Sequence, residues 1–184
     1  MPPAERLGRS LGLNHAFGRF MDFQGGAYGM AVLVRFPIEA TEDVRLPDGN
    51  EPRIALSVRV RLPDGRPLAI VNVHFDWVRD DAFRFAQAEA LTKHLDELKT
   101  PYILLGDFND VPGSRTLALF VGRAAEAAKP EEDRFTFSST RPSREIDYIF
   151  VAPAAAWRVG DVRVVDEPTA SDHRPVVAVR GRLR

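Results

Sequence analysis

Four short segments of this chain carry residues able to do chemistry together. They are Asn72-Val73-His74-Phe75, Gly106-Asp107-Phe108-Asn109-Asp110, Ile146-Asp147-Tyr148-Ile149 and Ser171-Asp172-His173. Each sets an acid, amide or imidazole against a β-branched or apolar run. Read as the C-terminal ends of strands, these are the places where an α/β fold presents functional side chains. Asp107, Asp147 and Asp172 supply carboxylates, His74 and His173 imidazoles, and Asn109 a carboxamide. That inventory suits a hard divalent cation and a phosphate ester.

Each residue also has a plainer reading. Asp107, Asn109 and Asp110 are good turn formers. His74, after an apolar run, suits a packed core position. Asp172-His173, followed by Arg174-Pro175, would alone be a loop. Asp147 is harder to dismiss. A carboxylate inside Ile-Asp-Tyr-Ile-Phe-Val needs a partner, because burying it unpaired is costly, and an imidazole is its natural one. Four such coincidences in one chain favour a site.

These residues need strands and a helix to position them. Tyr28–Arg35 reads as a buried strand. Ile54–Leu62 alternates, with Ile54, Leu56, Val58, Val60 and Leu62 on one face, as in a half-buried strand. Pro63-Asp64-Gly65-Arg66 is a turn signal, and Leu68–Phe75 the return strand of a hairpin. Asp80–Leu98 is predicted helical, capped by Asp80 or Asp81. Its expected buried stripe is Phe83, Ala86, Ala90, Leu91, His94, Leu95 and Leu98. Tyr102–Phe108 follows as a short apolar strand, completing a strand–helix–strand unit. Ser114–Val121 reads as a short helix. Glu145–Val151, Arg158–Val165 and Val176–Val179 read as further strands. Arg123–Asp133 is the most loop-like stretch and is expected to be mobile.

Composition bounds the class. A chain of 184 residues, 45% hydrophobic and 28% charged, fits one globular domain over 1–184. There is no cysteine, which excludes thiol nucleophiles, thiolate zinc sites and disulfides. The opening MPPAERLGRSLGL has no apolar signal core, and no run approaches the ~18 apolar residues of a membrane span. No membrane association and a cytoplasmic location are expected. Net charge is −1, so no broad basic surface for nucleic acid is evident. Of the 25 basic residues only Lys93, Lys99 and Lys129 are lysines. Codon bias explains that imbalance, though a few arginines could also clamp phosphate bidentately.

Read together and in order, NVHFD, GDFND, EIDYIF and SDHRPV resemble the successive motifs of the endonuclease/exonuclease/phosphatase superfamily, of the pancreatic deoxyribonuclease type. Gly26–Gly29 through Arg35–Ile38 is similar to a further family segment. The resemblance covers residues 5–180. It implies an α+β fold, a four-layer α/β/β/α sandwich of the deoxyribonuclease-like type. It also implies a divalent-metal-dependent phosphoesterase, more specifically a phosphodiesterase, hydrolysing its substrate by in-line attack of water. The substrate is a phosphate ester, with nucleic acid one open choice among lipid, inositol and small diesters.

The resemblance also assigns roles. His173, oriented by Asp147, resembles the family's His–Asp dyad. Asp107 and Asn109 would orient the attacking water and the phosphoryl oxygens. Asp107, Asn109 and Asp172 would hold the metal, Mg²⁺ or Mn²⁺, with Ca²⁺ also compatible. His74 would donate to a phosphate oxygen. Arg53 would contact phosphate, and Tyr28 would line the cleft, although Tyr28 equally suits the core. One departure stands out. Family members open with a strand, a helix and a second strand ending in Gln-Glu, whose Glu is a principal metal ligand. No Gln-Glu pair occurs here, and the family-like region begins near residue 5 in what resembles the helix after that Glu. An N-terminally truncated form of the fold is therefore expected. Two consequences follow. A degenerate, non-catalytic metal- or phosphate-binding protein is the alternative function. A homodimer, perhaps exchanging residues 1–24, is the expected answer to unpaired strand edges near Val176–Val179.

Overall fold

A computed structural model describes residues 2–181. Met1 and residues 182–184, included in the expected domain, lie outside the described residues. The helix α1 (Pro3–Leu11) is followed by strands β1 (Asn14–Phe23), β2 (Gly26–Val34), β3 (Ile38–Arg45), β4 (Ile54–Arg61) and β5 (Pro67–His74). Helix α2 (Ala82–Glu97), strand β6 (Tyr102–Asp107), helix α3 (Arg115–Val121) and the short β7 (Ala125–Glu126) come next. Strands β8 (Asp147–Ala152), β9 (Arg158–Val164) and β10 (Val176–Gly181) complete the order.

The main sheet has six strands in the order β3-β4-β5-β6-β8-β7. Only β5 and β6 run parallel, joined by α2 as expected of a strand–helix–strand unit. The predicted hairpin is β4–β5, closing at Arg61 opposite Pro67. Alternation along these strands sends side chains to two cores. Ala55, Ala69, Val71, Val73, Leu104 and Phe150 join the core with Leu91, Leu95 and Phe120 of α2 and α3. Leu56, Val58, Val60, Leu68 and Val151 face the opposite way, against Phe20, Met30 and Val32 of β1 and β2. Because β4 is covered at both faces over its first half, Ala55 and Ser57 are buried too. That strand is more enclosed than its alternation implies. Helix α1 lies on β1 and β2, so the layers stack as helices, sheet, sheet, helix. This is the expected four-layer sandwich.

The second sheet layer is in two pieces. β1 pairs β2, and β9 pairs β10, each as a separate two-stranded sheet. β2 lies over β5 and β10 against β8, leaving the face of β6 between them. A cleft of about 340 Å³, lined by Leu105, Ile149 and Val176, occupies that place. Residues 3–23 form α1 and β1 within the same chain, so the segment expected to be exchanged is already engaged.

Two other expectations are corrected, and two strands were not foreseen. The expected α2 stripe holds at Leu91 and Leu95, with Ala90 and Leu98 packed against the core, but Arg84, Gln87, Ala88 and Thr92 are buried beside them and Phe83 is exposed. Polar partners turn the helix: Arg84 pairs with Asp110, and Gln87 bonds two backbone groups. The stretch 123–133 is pinned, with β7 on β8 and Lys129 buried against Glu145 at 2.8 Å. Strands β1 and β3 carry no signal that alternation reads; β3 is exposed along nearly its whole length.

Candidate active site

His74, Asp107 and Asp147 lie side by side. The register places His74 opposite Asp107, and Asp107 opposite Asp147, on three adjacent strands. His74 and Asp107 end β5 and β6, as expected. Asp147 instead begins β8, because β8 runs antiparallel to β6. The expectation that every such residue ends a strand is therefore wrong for Asp147. Its antiparallel start nonetheless reaches the same end of the sheet.

Local backbone makes this possible. Gly106 has φ 135°, and a Cβ there would come within 2.0 Å of the Val73 carbonyl. Only glycine fits that approach. Asn109 takes φ 52°, a left-handed conformation asparagine tolerates well. Its N–H donates to Asp107 Oδ1 at 2.7 Å, and its Nδ2 donates to the Phe75 carbonyl at 2.9 Å. The turn former and the site residue are thus the same residue.

His173 arrives from the loop before β10. Its Nδ1 meets Asp147 Oδ2 at 2.8 Å, and its Nε2 lies 3.8 Å from Asp107 Oδ2. The loop is tied to residues 136–139: Ser139 N–H donates to the Asp172 carbonyl, and Arg174 N–H to the Thr136 carbonyl. Buried Thr136 Oγ1 also accepts from the N–H of Asp147. One hydroxyl therefore steadies the strand that bears Asp147, and the same residue's carbonyl steadies the loop that bears His173.

The electrostatics divide the roles. Burial pushes the Asp107 carboxyl up to about 7, helped by neighbouring Asp147 and opposed by the Asn109 N–H. Burial, then the charge of Arg53, pushes the His74 imidazole down to about 4. It is neutral at neutral pH, with Nε2 3.4 Å from Asp107 Oδ2. The bond to Asp147 raises His173, favouring its imidazolium. Arg53 is 1% exposed, and its Nη2 donates to Glu51 Oε2 at 2.7 Å. Its Nε and Nη1 are buried with no partner among the described residues. Arg53 is not among the residues that line the cleft at His74 and Asp107; its charge, rather than its buried donors, reaches them.

Tyr28, His74, Asp107, Asn109, Asp172 and His173 all line one cleft of about 520 Å³. Tyr28 is 36% exposed and stacks edge-on to Phe20. It faces the cleft rather than the core. Among the described residues, the acids and imidazoles able to share one ion are Asp107, Asp147 and His173, with ligand atoms within 4.8 Å of each other. Asp172 lines the cleft but is outside that group. Two carboxylates and an imidazole fit a divalent cation such as Mg²⁺ or Mn²⁺. The raised carboxyl of Asp107 shows how much a positive charge would relieve there. Sequence reasoning missed Trp77, Phe137 and Arg144, which line the same cleft. Trp77 stands three residues after His74, the one signal that could have placed it.

Comparison with known proteins agrees with this architecture. A model of the endonuclease/exonuclease/phosphatase family matches residues 2–173. The uncharacterized protein YbhP of Escherichia coli K12 is 30% identical over 188 aligned residues, covering 95% of this chain and 71% of that protein. A Bacteroides thetaiotaomicron mannosyl-6-phosphatase superposes with a TM-score of 0.81 at 22% identity, covering 97% of this chain and 80% of the other. TDP2 of D. rerio, solved with a single-strand DNA product, superposes with a TM-score of 0.76 at 18% identity, covering 96% and 81%.

Proposed function

The chain belongs to the endonuclease/exonuclease/phosphatase family, and from that premise we propose that it is a divalent-metal-dependent phosphodiesterase. The family spans phosphatases, nucleases and phosphodiesterases that act on phosphate esters. The observation that carries the narrower reading is the Asp147–His173–Asp107 cluster lining one cleft.

Asp107 is the first metal ligand in this reading, with Asn109 and Asp172 as further oxygen donors of the same cleft. Asp147 and His173 stay within reach but are held to each other. A bound Mg²⁺ or Mn²⁺ would supply charge neutralisation at the phosphoryl oxygens. The protein's own residues do the rest. Arg53, buried behind the cleft, adds positive charge that acts on His74 and Asp107. The carboxyl of Asp107, lining the cleft, would orient the attacking water beside the cation. Asn109 keeps that carboxyl in place through its N–H. Asp147 holds the Nδ1 proton of His173, so Nε2 is the exchanging atom. Nε2–H donates to the developing charge on phosphorus or to the leaving oxygen. His74, neutral, adds a further donor.

Hydrolysis of bis-p-nitrophenyl phosphate with Mn²⁺ or Mg²⁺, abolished by EDTA, tests the reading. His173→Ala is expected to lower kcat about 10²–10⁴-fold, and Asp147→Asn to lower it sharply by misorienting the ring. Undiminished kcat in His173→Ala would sink the assignment. Binding of Mn²⁺ without any turnover would leave a non-catalytic metal- or phosphate-binding protein instead.

A further inference from the structure

One large side chain in the cleft is not used by the chemistry above. Trp77 is 58% exposed, while the other tryptophan, Trp157, is buried. Its backbone is nevertheless tied on both sides. Asp76, fully buried, accepts N–H bonds from Asn50 at 2.7 Å and Val78 at 3.2 Å, and its own N–H donates to Gln87 Oε1 at 2.9 Å. The Val78 carbonyl accepts from Arg84 Nη1 at 2.5 Å, and Arg84 is paired with Asp110 at 3.1 Å. The loop that carries the exposed indole is therefore anchored on both sides of Trp77. An exposed aromatic ring that the fold fixes in place is a contact surface in search of a flat apolar partner.

The cleft says what that partner is. Trp77 shares it with Tyr28, Phe137 and the exposed Arg144, as well as with the catalytic acids and imidazoles. Three aromatic faces and a guanidinium all stack on flat heteroaromatic rings. A sugar ring would instead call for free acceptors beside the indole. Asp76, the acid next to the indole in the chain, is buried and already engaged by backbone N–H groups. A net charge of −1 offers no broad basic track for a duplex. We propose that Trp77 is a stacking platform for the base next to the scissile phosphate, and that the substrate is a nucleotide diester or short single strand. The inference deepens the phosphodiesterase reading and rests on it for the first test below, but not for the second.

The first test uses two esters with the same leaving group, thymidine 5′-(p-nitrophenyl phosphate) and methyl p-nitrophenyl phosphate, with Mn²⁺. The ratio of their kcat/KM values is expected to fall about 5- to 150-fold in Trp77→Ala, the range for one stacked base. Trp77→Phe should keep most of it. The second test titrates d(TpT) into the wild type in EDTA and follows tryptophan emission. Saturable quenching is expected, lost in Trp77→Phe and not produced by mannose 6-phosphate. Turnover of both esters with an unchanged ratio would overturn the platform and leave the diesterase standing. Quenching without turnover of either ester would keep the platform and remove the diesterase. Equal quenching by mannose 6-phosphate, or none by d(TpT), overturns the proposal.

Discussion

Asp107 is where folding and chemistry conflict. Its carboxyl is buried beside Asp147, and its pKa rises from 3.8 to about 7. A carboxyl with a raised native pKa is neutral in both states at low pH and contributes no penalty there. Between about pH 4 and 7 the unfolded chain ionises while the native one resists, so native stability is lost across that window. Above pH 7 the penalty is complete, up to about 4 kcal/mol for a shift of this size. Asp107→Asn escapes it. In EDTA the variant should match the wild type near pH 4 and be the more stable of the two at pH 8, by urea unfolding. Mn²⁺ at pH 8 should raise the wild-type midpoint more than the variant's. A variant no more stable than the wild type at pH 8 would show that Asp107 is not strained. The residue's identity was readable from GDFND, but its strain was not, because strain depends first on burial in the finished fold and then on Asp147 arriving from another strand.

At the scale of elements, α2 shows how polar residues decide orientation. Its apolar positions suggested a stripe through Phe83 and Ala86. The structure keeps Leu91 and Leu95 buried but exposes Phe83 and buries Arg84, Gln87 and Thr92 as well. Gln87 explains why: its Oε1 accepts from Asp76 N–H, and its Nε2 donates to the Pro47 carbonyl at 3.2 Å. Both backbone groups belong to loops beside the cleft and have little other recourse. Gln87→Leu leaves them unsatisfied, at roughly 1–3 kcal/mol each. For a chain of this size each kcal/mol moves Tm by about 2–4 °C, so a drop of at least about 4 °C is expected by calorimetry. The same variant should weaken the ester preference attributed to Trp77, since Asp76 anchors that loop. An unchanged Tm would mean that solvent replaces both bonds.

For the whole molecule, the open question is the divided second layer. Among the described residues β2 pairs only β1, and β10 only β9. Two strand edges thus flank the uncovered face of β6. Unpaired edges beside apolar surface favour association, and we propose that a second copy covers them in a homodimer. Exchange of residues 1–24 is not required, since α1 and β1 already pack within the chain. Light scattering should give twice the chain mass at micromolar concentration, and the unfolding midpoint should rise with concentration. A monomeric mass with a concentration-independent midpoint would remove the dimer. Among the described residues no helix is long and apolar enough to cross a membrane.

Period and composition made β4, β5, α2 and β6 readable, because a one-face apolar pattern is a local property. The order of the motifs carried the family, and with it the four layers. His74 and Asp107 could be placed at strand ends for the same reason. What remained hidden depends on distant partners. Strand β3 has no apolar face to reveal it, and is held by its ladder to β4. Asp147 begins rather than ends its strand because β8 is antiparallel, and no local pattern encodes strand direction. Arg53 is buried with two free donors, and Trp77 stands exposed on an anchored loop, because residues of other elements, Asn50 and Gln87 among them for the loop, close around them. Local alternation sets which side chains seek the core; long-range hydrogen bonds and strand order decide which of the others meet.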